Sequence, residues 1–270
     1  MKVSSQFTVV GATGYIGNRL VAHLSAQGYS VWAPRRGDVE VFTKPLGHVI
    51  YGAGLTADFR TRPFDTVDAH VRLLADVLRQ AQFTSLLYLS STRVYMGATS
   101  TDEDAPLTVL PSDPSYLYNL SKLTGESLCH SSGRAGVRVA RLSNVVGPGM
   151  DAASGNLVAD LICQARQGRV LLRSDPRSAK DYVHVDDVVD WLPRISLLGR
   201  STVYNVASGH QTTHAQWLEW LHKNTGCEVQ VQPGAAQHVF PPIKVDRLQK
   251  EFNVLARPIL HSINQGILDE

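Results

Sequence analysis

The sequence predicts a doubly wound α/β fold, with a parallel sheet followed by a smaller C-terminal lobe. The first observation behind this prediction is a short apolar run, Phe7 to Val10, that leads through a glycine turn into a helical pattern. The second is that strand-like apolar runs alternate with helical stretches as far as about residue 148. The third is the length, because 270 residues suffice for one large domain or for a main domain with a small lobe.

The elements follow one another in a strand, turn and helix order. Behind the first turn, Leu20, Val21 and Leu24 recur at helical spacing. Further strands are predicted at Tyr29 to Ala33, His48 to Tyr51, Ser85 to Leu89 and Val137 to Leu142. Helices are predicted at about Thr66 to Gln80, around Tyr118 and Lys122, at Asn156 to Gln167 and around Trp217 and Trp220. Because strands that alternate with helices form a parallel sheet, this is a Rossmann-type arrangement, and its binding crevice lies at the carboxyl ends of the strands.

The composition excludes several classes of protein. A content of 43% hydrophobic and 19% charged residues is ordinary for a globular protein, and a net charge of +2 is too small to indicate nucleic acid or a membrane surface. The cysteines Cys129, Cys163 and Cys227 are widely separated, as expected of reduced structural thiols, and no metal site is predicted. With no long apolar run and no room for a signal peptide before Phe7, we expect a cytoplasmic protein.

The glycine turn has the form G-x-x-G-x-x-G, made by Gly11, Gly14 and Gly17. A strand precedes it and a helix follows it, which is the setting in which glycines let the backbone approach a pyrophosphate at the positive end of a helix. The turn therefore predicts a dinucleotide site.

The end of the second strand indicates which dinucleotide binds. In a sheet of this kind an acidic residue there accepts hydrogen bonds from a ribose 2′-hydroxyl, whereas an arginine accommodates a 2′-phosphate. This chain has Arg35 and Arg36 at that point, and a guanidinium suits a phosphate in charge and in its fork of donors. NADP is therefore predicted in preference to NAD, although Asp38, just beyond, leaves NAD as the alternative.

Tyr118 and Lys122 lie four residues apart on a predicted helix and share one face. An ammonium beside a phenol stabilises the ionised phenol and so lowers its pKa from about 10 towards neutrality. A Ser90-Ser91-Thr92 cluster precedes the pair by 27 residues. The pattern predicts a proton donor aimed at a nicotinamide.

With the glycine turn, the serine and the Tyr/Lys pair in this order, the sequence resembles the extended short-chain dehydrogenase/reductase family, especially its nucleotide-sugar branch. The resemblance covers most of the chain. Further matching segments are Ser90 to Tyr95, Arg141 to Gly149, Lys180 to Val188 and Val203 to Gly209.

The resemblance implies roles for individual residues. Ser91 hydrogen-bonds the reacting oxygen, Tyr118 exchanges the proton, and Lys122 tunes Tyr118 and touches the nicotinamide ribose. Ser91 is preferred to Ser90 and Thr92 because it lies three residues before the Val94-Tyr95 pair. The implied cofactor residues are Gly11, Thr13, Gly14, Tyr15, Ile16, Gly17, Arg35, Arg36, Ala53 and Lys122. The implied substrate residues are Ser91, Asn144, Asn156 and Arg177, with Leu157 and Lys180 as further candidates.

Three departures from the family pattern stand out. His70 lies where many members have an asparagine. Only 12 residues, Arg36 to Gly47, separate the second strand from the strand at His48, so the third strand is predicted in compressed form at Val39 to Phe42 and a helix is missing. Sugar-nucleotide 4,6-dehydratases have an acid pair where this chain has Thr92 and Arg93, and neither residue suits water elimination.

The resemblance leads to a functional expectation. Residues 1–148 are expected to form the dinucleotide-binding domain, joined by strands from about 180–210, and residues 149–270 mainly a substrate lobe in which Pro233 to Pro242 is a loop. We expect NADPH-dependent reduction of a keto group, at C4, on a nucleotide-activated sugar. An NAD-dependent nucleotide-sugar 4-epimerase is the close alternative, and a non-catalytic NADP(H) sensor or scaffold is a third. The family also implies a homodimer through the helices near His70 and Tyr118.

Overall fold

The computed structural model describes residues 5–56, 58–150 and 155–263. Its centre is a six-stranded parallel sheet in the spatial order β2-β1-β3-β4-β5-β9. The strands are β1 (Gln6–Val10), β2 (Ser30–Trp32), β3 (His48–Tyr51), β4 (Ser85–Ser91), β5 (Val137–Leu142) and β9 (Val203–Val206). This confirms the predicted doubly wound, Rossmann-type sheet, and the chain returns from the C-terminal part to supply its last strand.

Helices cover both faces of this sheet. The helices on one face are α1 (Tyr15–Ala26) and α6 (Val185–Leu198), and those on the other are α3 (Leu73–Gln80) and α4 (Leu117–Ser131). Successive strand residues alternate between these faces, so Leu87 packs with the α1 and α6 layer while Leu86 and Tyr88 pack with the α3 and α4 layer. Burial on both faces explains why the central strands are mostly apolar.

The segment between β2 and β3 corrects one prediction. Val39–Phe42 is a 3₁₀-helix, not a compressed strand. The Asp38 side chain accepts a hydrogen bond from the Glu40 N–H and so caps this turn. Only Val41 of the segment is buried, whereas Val39 is exposed. The predicted second strand, Tyr29 to Ala33, is likewise shorter, at Ser30–Trp32.

The predicted helix from Thr66 to Gln80 is divided into three parts. It begins as α2 (Pro63–Val67), with proline in the first turn, continues as a π-helical segment (Asp68–Arg72) and ends as α3. A π-helical turn widens the helix by one residue per turn and is frequent at functional sites. His70 lies in the middle of this segment and is fully buried.

The C-terminal part builds two small sheets with their own core. These sheets have the orders β10-β8-β6 and β11-β7. Their strands are β6 (Asn144–Val146), β7 (Arg169–Leu172), β8 (Ala179–His184), β10 (Gln211–Thr213) and β11 (Glu228–Val231). The helices are α5 (Leu157–Arg166), α7 (His214–Thr225), α8 (Asp246–Phe252) and α9 (Ile259–Ser262). Trp217 is fully buried between α5, α7 and β8, as its aromatic stripe predicted.

Side chains satisfy the outer edge of β9. Glu103 accepts a hydrogen bond from the Asn205 N–H at 3.2 Å, and Arg247 donates to the Val203 carbonyl at 3.0 Å. The opposite edge strand, β2, has only three residues and is followed within two residues by Pro34.

Candidate active site

The glycine turn packs closely against the carboxyl end of β3. Gly11 has a φ of +90°, and a Cβ added there would lie 2.6 Å from the Ala53 nitrogen. A Cβ at Gly17 would overlap the carbonyl oxygen of Gly11, so α1 could not approach the turn. Gly14 is different, because an added Cβ would meet only the Gly11 oxygen at 3.5 Å. Gly11 and Gly17 are therefore required by packing, whereas Gly14 leaves the helix N-terminus open to a ligand.

The first turn of α1 suits an anion. Gly14 is the N-cap and has no side chain to satisfy the first amide groups, and the first turn contains no acidic residue. Thr13 is exposed beside it, while Tyr15 and Ile16 are half-buried against the core. Ala53 lines the same crevice from β3. These residues fit the pyrophosphate of a dinucleotide.

The arginines at the end of β2 are solvent-exposed. Neither Arg35 nor Arg36 forms a salt bridge within the part of the chain that the structure describes. Asp38, the acidic alternative, uses its side chain to cap the following 3₁₀-helix. The positive charge thus faces solvent at the point where a ribose 2′-substituent would lie.

Ser91 and Tyr118 are brought together by β4 and α4. Ser91 ends β4, its Oγ accepts the Arg93 N–H at 3.2 Å, and its hydroxyl lies close enough to the Tyr118 phenol to act on the pKa of that phenol. Burial raises the pKa of Tyr118, and the Ser91 hydrogen bond and the Arg93 charge act in the opposite direction. The phenol is therefore protonated at neutral pH in the free protein.

Lys122 lies one helical turn further along the same face. Its ammonium donates to the Leu89 carbonyl at 2.8 Å and stands 5.8 Å from the Tyr118 ring centroid. Burial lowers the pKa of Lys122 to about 7, and the charge of Glu126 acts against that fall. The sequence argument expected Lys122 to lower the pKa of Tyr118. In the free protein burial raises that pKa instead, and the opposing influences come from Ser91 and Arg93.

The Ser90 hydroxyl, next to Ser91 in the chain, is hydrogen-bonded to a different residue. Ser90 Oγ donates to the Glu126 carboxylate at 2.5 Å, on the far side of β4 from Ser91. That carboxylate also forms a buried salt bridge of 2.6 Å with Arg141 of β5. Thr92 is buried. Among the three hydroxyls of the cluster, the Ser91 hydroxyl is the one that acts on the pKa of Tyr118.

The ring of Phe59 packs against Tyr118, and Arg93 packs against Phe59. The Phe59 ring packs 5.6 Å from that of Tyr118, and the Arg93 guanidinium lies 5.5 Å from the Phe59 centroid. Arg93 is fixed by donating to Asn119 Oδ1 at 3.1 Å and to the Ser115 carbonyl at 3.3 Å. A cation therefore occupies the place where an acid pair would be needed for water elimination.

A cleft of about 220 Å³ lies between α5, β7, β8 and α7. Its lining includes Leu157, Arg173, Ser174, Lys180, His214 and His238. Burial and the nearby Arg93 charge lower the pKa of Lys180. His214 pairs through Nδ1 with Ser174 Oγ at 2.7 Å, and burial together with the Lys180 charge lowers its pKa to about 4. Sequence reasoning missed His214, whose only signal is its place after two threonines at the start of a helix.

The other predicted substrate residues differ in their contacts. Asn144 donates to the Asp181 carbonyl at 2.8 Å and so ties β6 to β8. Asn156 caps α5 by accepting the Val158 N–H. Arg177 is exposed, paired with Asp175 at 2.7 Å, and does not line the cleft. Of the two predicted diphosphate contacts, only Lys180 lies there.

Two kinds of feature are absent from the described part of the chain. The described residues contain no group of three or more His, Cys, Asp or Glu side chains that could hold a metal ion. No helix within residues 5–56, 58–150 and 155–263 is both long and apolar enough to cross a membrane.

The sequence model of the NAD dependent epimerase/dehydratase family matches residues 7–207, which is most of the chain. The chain belongs to this family. The match confirms the resemblance to extended short-chain dehydrogenases and to the branch that contains nucleotide-sugar epimerases and dehydratases. Within the family the reaction type varies, so the family alone does not decide between reduction, epimerisation and dehydration.

Similar proteins share the fold more than the sequence. A dTDP-glucose 4,6-dehydratase of Streptomyces griseus is 30% identical over 162 residues, which cover 57% of this chain and about half of that enzyme (47%). The structure of MoeE5 in complex with UDP-glucuronic acid and NAD is 22% identical and has a TM-score of 0.79, with 96% of this chain and 97% of that one covered. The structure of RMD from Pseudomonas aeruginosa with NADPH is 24% identical, with a TM-score of 0.77 and 98% of both chains covered.

Proposed function

We propose that this family member uses NADPH to reduce a keto group, at C4, of a nucleotide-activated sugar. The observation that supports this most directly is the contact of Ser91 with Tyr118, with the Lys122 ammonium one helical turn away. When bound, the cofactor supplies the hydride that goes to the carbonyl carbon. Tyr118 gives its proton to the carbonyl oxygen, and Ser91 holds that oxygen by a hydrogen bond.

The residues beside Ser91 argue against dehydration. Elimination of water requires an acid for the leaving hydroxyl and a base for the adjacent carbon. Thr92 is buried and Arg93 is a fixed cation, so neither can serve. On this ground the activity of the dehydratase relative with 30% identity is not proposed for this chain.

The cleft beside α5 is proposed to take the nucleotide part of the substrate. Lys180 would meet the diphosphate, and Leu157 and Asn156 lie at the start of the helix that borders it. Arg177 is not part of this proposal because its guanidinium is occupied by Asp175 outside the cleft.

NADP is proposed on the basis of Arg35 and Arg36, whose guanidinium groups face solvent without a carboxylate partner among the described residues. Relatives of this fold are seen with either cofactor, since MoeE5 carries NAD and RMD carries NADPH. The competing function is an NAD-dependent 4-epimerase, which uses the same serine, tyrosine and lysine. The NAD-bound neighbours favour it.

One experiment separates these functions. Freshly purified protein is denatured and any released nicotinamide nucleotide is identified, then UDP-, dTDP- and GDP-linked 4-keto sugars are offered with NADPH. A reductase consumes one NADPH for each sugar reduced, and Tyr118→Phe abolishes this consumption while NADPH binding persists. Stoichiometric NAD that remains bound, with product formed at no net cofactor consumption, would instead establish the epimerase.

A further inference from the structure

His70 has a buried nitrogen atom that no described residue satisfies. The side chain is fully buried in the π-helical segment, and its Nε2 has no hydrogen-bond partner. A buried polar atom without a partner is costly, and native structures rarely keep one without a role. The other ring nitrogen, Nδ1, lies 2.8 Å from Ser121 Oγ.

The hydrogen bonds of Ser121 determine which ring nitrogen holds the proton. A serine hydroxyl has one proton, and Ser121 donates it to the Tyr118 carbonyl at 2.9 Å. Its oxygen must therefore accept from His70 Nδ1–H. Burial and the Lys122 charge lower the pKa of His70 to about 2, so the ring is neutral and Nε2 carries a lone pair. His70 thus presents an acceptor, not a donor.

This acceptor shares a small space with Lys122. A Cβ added to Gly54 would lie 2.6 Å from His70 Nε2 and 3.5 Å from Lys122 Nζ, so the two nitrogens are no further apart than the sum of these distances. The Lys122 ammonium donates one of its three N–H groups to the Leu89 carbonyl, which leaves two as possible donors. The His70 ring also packs edge-on against Tyr118 at 5.4 Å.

We propose that His70 is a positioning residue for Lys122, and that its Nε2 accepts a hydrogen bond from the Lys122 ammonium across at most one water molecule. Ser121 holds the imidazole in the accepting tautomer. The glycine at position 54 leaves the space in which the two nitrogens meet. The hydrogen bond favours the charged form of Lys122 and directs its ammonium at the ribose of the nicotinamide, whose reaction is the proposed function.

The charges around Lys122 are few, which makes the effect measurable. The groups that face or adjoin it are His70 from the π-helical segment, Tyr88 from β4, and Tyr118 and Glu126 from its own helix. Glu126 is paired with Arg141 of β5, and its charge still raises the pKa of Lys122. A neutral acceptor near the ammonium stabilises the charged amine, so its loss lowers the pKa of Lys122 further.

The first test uses the free protein, so it does not depend on the substrate. Nitrogen-15 spectra of histidine-labelled protein identify the tautomer of His70 and follow Nε2 between pH 5 and 9. We expect the Nδ1–H tautomer throughout and an Nε2 resonance that shifts as Lys122 loses its proton near pH 7. Lys122→Met should remove that shift. A protonated Nε2, or a resonance that behaves identically in both proteins, would overturn the proposal.

The second test uses variants with a matched control. His70→Leu removes the acceptor, and His70→Gln returns an amide oxygen near the position of Nε2. His48→Leu is the control, because His48 also pairs through Nδ1 with a serine hydroxyl, that of Ser85, but on β3 away from Lys122. We expect the titration seen in the pH dependence of NADPH binding to move down by about one unit in His70→Leu.

The remaining outcomes are also decisive. His70→Gln should restore part of the shift, and His48→Leu should leave it unchanged. Equal shifts in the two leucine variants would show a general effect of destabilisation and contradict the proposal. If His70→Leu does not fold, the spectra of the unaltered protein still decide. If the proposed reduction fails while the tautomer and titration are as expected, only the reaction is wrong.

Discussion

Tyr118 is surrounded by groups that pull its proton affinity in different directions. Burial under Phe59 favours the neutral phenol, whereas Ser91 and Arg93 favour the ionised form. The net result in the free protein is a raised pKa. The raised pKa keeps the phenol protonated, which is the form that can donate to a carbonyl oxygen, and the cation of Arg93 favours the phenolate left behind.

Arg35 provides a test of cofactor choice at the level of one side chain. Arg35→Ser should weaken NADPH binding about tenfold, a loss of about 1.4 kcal/mol, because it removes a guanidinium from the 2′-phosphate. Binding of NADH, which lacks that phosphate, should not change. Fluorescence titration of both nucleotides measures the two dissociation constants.

The control for this change is Arg200→Ser. Arg200 is also exposed, but it precedes β9 and so lies at the amino ends of the strands, away from the cofactor crevice. It should leave both affinities unchanged. A protein that prefers NADH before any substitution, or an equal loss of both nucleotides in Arg35→Ser, would refute the NADP assignment.

The sequence places residues in the site well when they follow strand ends. Gly11 directly follows β1, Ser91 ends β4 and Asn144 lies two residues after β5, and the parallel sheet brings these positions to one edge. Arg177 and Lys180 were indistinguishable by the same reasoning, although Arg177 precedes β8 and Lys180 lies within it. Their difference is a local ion pair with Asp175 that turns Arg177 away, and such a contact is not visible in a spacing pattern.

At the level of elements, a local cap determines one secondary structure that the periodicity of apolar residues did not predict. The residues Val39 to Val41 alternate between apolar and polar side chains as a strand would, yet the segment Val39–Phe42 is a 3₁₀-helix because Asp38 caps it. The helix from Pro63 to Gln80 shows the opposite problem. Its apolar pattern is continuous, so the π-helical turn around His70 left no mark in the sequence.

Substitutions at two glycines of the turn should have separate effects, one on stability and the other on cofactor affinity. Gly17→Ala forces a Cβ into the Gly11 carbonyl, so we expect a loss of roughly 2 to 4 kcal/mol in the free energy of unfolding, measured in urea. Gly14→Ala meets ordinary contact distances and should unfold like the parent protein, while cofactor affinity falls because the methyl group obstructs the helix end. Equal stability of the two variants would contradict this division.

For the whole molecule, two buried histidines predict sensitivity to acid. The pKa of His70 is lowered to about 2 and that of His214 to about 4, whereas an unfolded histidine titrates near 6.5. Below about pH 6.5 the unfolded chain therefore binds more protons than the folded one, so the free energy of unfolding decreases as the pH is lowered. The slope is at most about 1.4 kcal/mol per pH unit for each histidine.

Urea unfolding at pH 7.5, 6.0 and 5.0 measures this dependence before the carboxylates titrate. His214→Gln should flatten the slope, because the amide has no proton to gain. A free energy of unfolding that stays constant or rises on acidification would show that the folded protein protonates these rings, and would sink the prediction.

The two edges of the main sheet are closed in different ways, and this bears on how the protein behaves at high concentration. An unpaired strand edge is a template on which another chain can add a strand and start aggregation. At β9 the side chains of Glu103 and Arg247 already occupy backbone groups, and at β2 there are only three residues before a proline that cannot donate. Neither edge offers a row of free backbone groups to a neighbour, so the sheet resists growth into fibrils or disordered precipitates.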